Sequence, residues 1–143
     1  MPSPPFQRLR LSRHLFNDMI DHARRELPCE CCGLLAGVVE GAVGRVVERY
    51  ALVNALASGR EFETEPRSMF AAMRAMHEGG LEVLAVYHSH PTSAPVPSRT
   101  DLERNYSPDV VNVIVSLAGE PPTVRAWWLT DKDYREAEWE VSY

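Results

Sequence analysis

The chain has 143 residues, of which 45% are hydrophobic and 24% charged, so its length and composition predict one globular domain with its own core. Its formal net charge is −5 and its basic residues form no cluster, which argues against a nucleic-acid-binding surface. No apolar stretch is long enough to cross a membrane, and residues 1–6 contain no apolar signal segment. We therefore expect a cytoplasmic protein that binds neither nucleic acid nor membrane.

Hydrophobic periodicity predicts alternating strands and helices along the chain. Residues 1–6 are expected to be a disordered lead and residues 7–143 a single domain. Ser12 is a suitable N-cap for the first helix, which Pro28 ends. In chain order the predicted elements are a strand over 7–11, a helix over 13–27, strands over 31–39 and 43–52, a short strand at Phe62, a helix over 66–77, a strand over 81–90, a short helix over 98–106, strands over 110–117 and 123–129, and an outer strand at the end. This order predicts an α/β domain with a mixed sheet flanked by helices.

The second predicted helix carries a row of methionines and one phenylalanine at helical spacing. Such a row is far more often core packing than a ligand surface, so we expect it to mark the buried side of the helix. The row consists of Met69, Phe70, Met73 and Met76.

Two histidines end the predicted central strand, and an aspartate follows after a proline-rich loop. His88 and His90 project to the same side because side chains alternate along a strand. Neutral imidazole is a common zinc ligand, and Asp101 can supply a third ligand if the stiff loop between them folds back. Taken alone, Ser98-x-x-Asp101 is better explained as a helix capping box. The two histidines alone are also compatible with a hydrogen-bonded pair in the core. The four residues together favour a metal site.

Three protein ligands leave one tetrahedral position open, as in catalytic rather than structural zinc sites. A hydrolase of this kind needs a general base, and Glu30 is the candidate, since it lies where the first helix gives way to a strand. The residues alone leave a solvated surface carboxylate as an equal alternative for Glu30.

All three cysteines lie close together, so they cannot form a disulfide framework, and reduced thiols are expected. Cys29-x-x-Cys32 is half of a zinc-deaminase signature, but the His-x-Glu segment that this signature requires upstream is absent. Packing or exposed thiols are the expected roles of Cys29 and Cys31, with a second metal or a redox function as the alternative.

These motifs resemble those of the JAMM (MPN+, JAB) zinc metalloproteases, in particular the small stand-alone prokaryotic members. The resemblance rests on His88-x-His90-Pro91, on Ser98-x-x-Asp101 and on an upstream glutamate segment, and it covers about residues 8 to 130. The glutamate segment reads Pro28-x-Glu30-x-Cys32-Gly33-Leu34-Leu35-x-Gly37. The resemblance implies a curved mixed sheet with helices layered on it, as in cytidine deaminases, and a zinc-dependent isopeptidase or peptidase activity.

The resemblance also implies a role for each site residue. His88, His90 and Asp101 would bind one Zn²⁺ per chain. Glu30 would act as the general base and deliver a proton to the leaving amine, and Ser98 would donate a hydrogen bond to the oxyanion.

Prokaryotic relatives process ubiquitin-like and sulfur-carrier proteins that end in Gly-Gly, which implies such a protein as partner. We expect its tail near Phe62 and the loop over 91–97. The alternatives are a non-catalytic MPN-type interaction domain and a zinc hydrolase of small amides. The sequence leaves the oligomeric state open, with a homodimer as one option.

Overall fold

A computed structural model describes residues 3–59 and 63–143, so the short strand predicted at Phe62 lies outside the described residues. The described chain forms a mixed eight-stranded sheet and three helices. The elements are β1 (Arg8–Ser12), α1 (Arg13–Arg25), β2 (Cys32–Glu40), β3 (Val43–Leu52), α2 (Pro66–Glu78), β4 (Glu82–His90), α3 (Arg99–Glu103), β5 (Val111–Ser116), β6 (Thr123–Leu129), β7 (Tyr134–Glu136) and β8 (Glu138–Ser142). The predicted α/β class with a mixed sheet is confirmed.

The sheet has the strand order β7-β6-β5-β4-β2-β3-β1-β8, with β4 near its centre. Strand β4 runs antiparallel to β2 and parallel to β5, so its backbone is hydrogen-bonded on both sides. The strand that ends in the two histidines is therefore among the most firmly held in the fold.

The last segment of the chain forms both edges of the sheet. Strand β7 pairs with β6, whereas β8 pairs with β1 at the opposite end. Only the buried Ala137 separates them, so the sheet curves until its two edges nearly meet. The outer strand predicted at the end of the chain is confirmed as the edge strand β8, whereas the three-residue strand β7 before it was not predicted.

Helix α1 covers one face of the sheet. The Ser12 hydroxyl accepts a hydrogen bond from the Leu15 amide at 3.1 Å, which confirms the predicted N-cap. Met19 and Ala23 of the helix are fully buried against the sheet. Phe6, at the end of the predicted lead, is 3% exposed and lies 5.3 Å from Trp128 between ring centroids, so the packed core begins one residue before the expected domain start.

Helix α2 packs on the opposite face. Ala72 and Met76 are buried, and Met69 and Met73 are partly buried against the same cluster. Phe70 is 70% exposed, so its assignment to the buried side is wrong. In an α-helix adjacent residues point about 100° apart, and the face centred on Ala72 and Met76 excludes Phe70.

Within the described residues, none of the helices combines the length and the apolar character that crossing a bilayer would require.

Candidate metal centre

The side chains of β4 and α3 bring three ligand atoms together on the α2 face of the sheet. The Nε2 atoms of His88 and His90 are 3.2 Å apart, and Asp101 Oδ2 lies 3.2 Å from each of them. The three atoms thus form an equilateral triangle. Their side chains are buried, with exposed fractions of 1%, 6% and 6%.

The proline-rich loop holds Asp101 in place through contacts with distant strands. Its carbonyl groups accept hydrogen bonds from the Ser116 hydroxyl at 2.6 Å and from Trp127 Nε1 at 2.9 Å. The carbonyl oxygen of Ala94, also in the loop, lies 2.9 Å from His90 Nδ1 and so orients that ring. The prolines restrict the loop, and these hydrogen bonds fix the conformation that brings Asp101 back to the histidines.

Ser98 and Asp101 form the capping box that the local pattern suggested. The Ser98 hydroxyl accepts from the Asp101 amide at 3.1 Å, and Asp101 Oδ2 accepts from the Ser98 amide at 2.9 Å. The same Oδ2 atom faces both histidines. The Asp101 carboxylate therefore belongs to both the helix cap and the triangle of ligand atoms, and the cap holds it in position.

The charge state of the cluster follows from its contacts. Burial raises the pKa of Asp101, but the His88 charge and hydrogen bonds from both histidines outweigh it and hold the pKa far below its usual range. Burial lowers the pKa of His90, yet its hydrogen bonds and the charges of Asp101 and Glu30 leave the pKa raised. Asp101 is thus an ionised carboxylate, the form that binds a metal.

The donor set fits a metal ion. Ligand atoms about 2.0 Å from a tetrahedral ion lie about 3.3 Å from one another, close to the observed spacing of 3.2 Å. Among the His, Cys, Asp and Glu residues that the structure describes, His88, His90 and Asp101 are the one group of three that could share an ion. Two imidazole nitrogens and one carboxylate oxygen are typical zinc ligands.

Glu30 lies beside this cluster, immediately before β2. Cys32 is paired with His88, and the Ser89 amide donates to the Cys31 carbonyl at 3.2 Å, so the chain still runs beside β4 here. The charge of Glu30 consequently acts on His90. The Glu30 amide donates to Ser58 O at 2.6 Å, and its carbonyl accepts from Asn54 Nδ2 at 3.0 Å. Glu30 is 3% exposed, so the alternative of a solvated surface carboxylate is wrong. Its role as general base stays a prediction.

Comparison with known proteins shows which family this chain belongs to. Residues 12–130 match the family described as prokaryotic homologs of the JAB domain. The chain belongs to the prokaryotic JAB family. The desampylase of Haloferax volcanii is 34% identical over 134 residues, which cover 90% of this chain and 93% of that protein.

Further similarities agree with the JAB assignment. The CysO-cysteine peptidase of Mycobacterium bovis is 36% identical over 102 residues, covering 71% of this chain and 68% of that protein. The solution structure of protein DSY2949 from Desulfitobacterium hafniense superposes with a TM-score of 0.85 at 30% identity, covering 94% of this chain and 92% of that one. The predicted family and the predicted class of enzyme, a JAMM-type hydrolase, are confirmed.

Gly33, the first of the two glycines in the glutamate segment of this JAB domain, has no room for a side chain. A Cβ atom on Gly33 would clash with the ring of Tyr87, which crosses the glycine from the adjacent strand. Any side chain at Gly33 would therefore displace Tyr87, the neighbour of His88.

The cysteines of the JAB domain are free thiols in two environments. Cys31 and Cys32 are each 1% exposed, whereas Cys29 is half-buried. Burial raises the pKa of Cys31 to about 11 and that of Cys32 to about 12. Cys31 and Cys32 are thus buried packing residues, and the redox alternative for Cys31 is disfavoured because the thiolate is the reactive form.

We predict that iodoacetamide at neutral pH modifies only Cys29 in the folded protein. Intact mass should show one adduct per chain in buffer and three in denaturant, because unfolding exposes Cys31 and Cys32. Cys29→Ser should then show none in buffer. A second adduct on the folded protein would contradict the burial of the other two thiols.

A cavity of about 440 Å³ opens beside the metal centre, between α2 and α3. His88 and Asp101 form part of its wall, whereas Glu30, His90 and Ser98 do not. The lining includes apolar side chains and the buried polar side chain of Asn112, which the sequence analysis missed. Its sign in the sequence is one amide side chain among the valines and isoleucine of the buried strand β5.

Proposed function

We propose that this JAB domain is a zinc-dependent peptidase that hydrolyses the amide bond after the C-terminal Gly-Gly of a ubiquitin-like or sulfur-carrier protein. The observation that carries the proposal is the triangle of His88, His90 and Asp101 ligand atoms with 3.2 Å edges. The names of the relatives, a desampylase and a CysO-cysteine peptidase, support a small modifier protein as the acyl part of the substrate.

His88 and His90 would hold the ion through their Nε2 atoms, and Asp101 would hold it through Oδ2. When bound, zinc lowers the pKa of a coordinated water to about 7 and polarises a carbonyl group. The stiff loop and the capping box keep the three donors in place beforehand, so the protein reorganises little when it takes up metal.

Glu30 is the proposed general base. It would take a proton from the attacking water on its carboxylate and later give that proton to the leaving amine. The backbone contacts to Ser58 and Asn54 hold the residue, and its burial keeps bulk water from competing for the proton.

Ser98 is the proposed oxyanion donor. Its oxygen accepts the hydrogen bond from the Asp101 amide, which leaves the hydroxyl hydrogen available for the substrate. An oxyanion donor of this kind stabilises the transition state by about 2.7–4 kcal/mol.

The activity is tested with a Gly-Gly-tailed modifier fused through its C-terminus to a reporter protein, in both isopeptide and linear form. Intact mass should show release of a modifier that ends in Gly-Gly, and a chelator should stop the reaction until zinc is restored. Binding of the modifier without cleavage by the zinc-loaded protein would favour the interaction-domain alternative. Equal turnover of simple amides would favour a small-amide hydrolase.

Ser98→Ala should lower kcat by about 100- to 1,000-fold, the loss expected for one oxyanion donor. Zinc content should stay at the wild-type level, because the Ser98 amide still donates to Asp101 after the hydroxyl is lost. Ser98→Thr keeps the hydroxyl and serves as the control. If Ser98→Ala lost zinc in proportion to activity, its hydroxyl would serve only to hold the helix cap.

A further inference from the structure

Away from the metal centre, Asn112 is the one buried polar residue among the described residues that line the cavity, which also include the more exposed Glu63, Arg104 and Tyr106. Asn112 is 4% exposed and lies among Cys32, Leu34 and Val86, which are buried as well. Met69 of α2 and Thr100 of α3 also line the cavity. At about 440 Å³, the cavity falls in the range of small-ligand pockets, about 300–1,000 Å³.

A hydrogen-bond relay decides which way the Asn112 amide points. The carbonyl oxygen of Leu129 can only accept, so the amide group that faces it at 3.0 Å is Asn105 Nδ2. Asn105 Oδ1 then faces Asn112, and it accepts from Asn112 Nδ2 at 3.2 Å. The orientation of both side chains follows from a backbone atom, which leaves Asn112 Oδ1 as the end that is directed away from Asn105.

That oxygen lines the cavity as a hydrogen-bond acceptor. No described residue donates a hydrogen bond to Asn112 Oδ1. A ligand that fills the cavity displaces water from this oxygen, so a ligand that brings a donor is favoured over one of the same shape that leaves the oxygen unpaired.

The position of Glu30 decides which part of the substrate enters the cavity. Glu30 delivers its proton to the leaving amine, so the amine lies on the Glu30 and His90 side of the metal centre. The cavity lies on the His88 and Asp101 side, which is left for the acyl tail. Two extended glycines span about 7 Å, enough to carry the tail from the triad to the cavity before the next side chain begins.

We infer that the cavity binds the side chain of the residue preceding the Gly-Gly of the tail, and that Asn112 Oδ1 selects a large, mainly apolar side chain with a hydrogen-bond donor at its end, such as tyrosine. This inference rests on the proposed function and names the specificity of the same site. Leu34, Leu52, Met69 and Val86 contact the ring, and the tyrosine hydroxyl donates to Asn112.

Three fluorescein-labelled hexapeptides that end in Tyr-Gly-Gly, Phe-Gly-Gly and Ala-Gly-Gly test this selection. Anisotropy with the zinc-loaded protein should show the tyrosine peptide binding roughly 5- to 10-fold tighter than the phenylalanine peptide, the effect of one hydrogen bond to a buried acceptor. The alanine peptide should bind weakest, because it leaves the cavity unfilled.

Two variants separate the acceptor from the shape of the cavity. Asn112→Val suits the β-branched strand and removes the acceptor, so the tyrosine preference should disappear or reverse. Met69→Ala enlarges the cavity without touching Asn112, so both aromatic peptides should weaken together while their ratio stays the same. If Asn112→Val does not fold, as its melting curve would show, the ratios in the wild type and in Met69→Ala still decide the matter.

The outcomes distinguish this inference from the proposed function. If Gly-Gly conjugates are cleaved but tyrosine and phenylalanine tails bind equally well, the selection by Asn112 is overturned and the function stands. If no conjugate is cleaved and no tail peptide binds, both are overturned.

Discussion

Replacement of Glu30 by glutamine should lower turnover of a Gly-Gly conjugate by about 10²- to 10⁴-fold, the contribution of a general base. Glutamine has almost the same shape, but its amide cannot accept and return a proton. Zinc content should not change, because the proposed ligand atoms belong to His88, His90 and Asp101. Single-turnover kinetics and metal analysis of the same preparation measure the two quantities together.

Glu103→Gln is the matched control for this experiment. Glu103 lies on α3 close to Asp101, but its side chain is 59% exposed and paired with Arg99. It should cut at the wild-type rate. Normal turnover by Glu30→Gln would show that another group handles the proton, and the assigned base would be wrong.

Loss of an imidazole ligand should have the second large effect. His88→Ala leaves only two ligand atoms of the triangle, so zinc should fall from one ion per chain to less than about a tenth of that after dialysis. Turnover should fall with it below detection. Metal analysis reports the first loss, and cleavage of the conjugate reports the second.

Two further variants guard this result against a folding artefact. Asp101→Asn keeps the size of a ligand side chain but removes its charge, and it should also lower zinc content. His77→Ala removes an exposed histidine at the end of α2 and should leave zinc unchanged. Full zinc occupancy in a folded His88→Ala protein would remove His88 from the ligand set.

Local chemistry made several elements predictable from the residues alone. The Ser12 cap, the helix that follows it and the hairpin of β2 and β3 agree with prediction to within about two residues, because neighbours in sequence decide them. The alternation of a strand places His88 and His90 on one face. The proline-rich loop pointed to Asp101 as the third member of the group.

Other features depend on residues far apart in the chain. Ser116 and Trp127 anchor the loop that returns Asp101 to the histidines, and neither can be recognised as an anchor before the sheet is formed. The same holds for Asn112, whose orientation depends on a carbonyl of β6. Glu30 could be either exposed or buried until Ser58 and Asn54 were seen to hold it.

The sequence by itself therefore determined which residues we propose for the chemistry and that His88 and His90 share one face of their strand, since periodicity and capping act over a few residues. Only the tertiary structure decided that three ligand atoms meet at 3.2 Å, that a cavity opens beside them, and that one segment forms both edges of the sheet. Those features arise from contacts between strands that are distant in sequence, which no local pattern specifies.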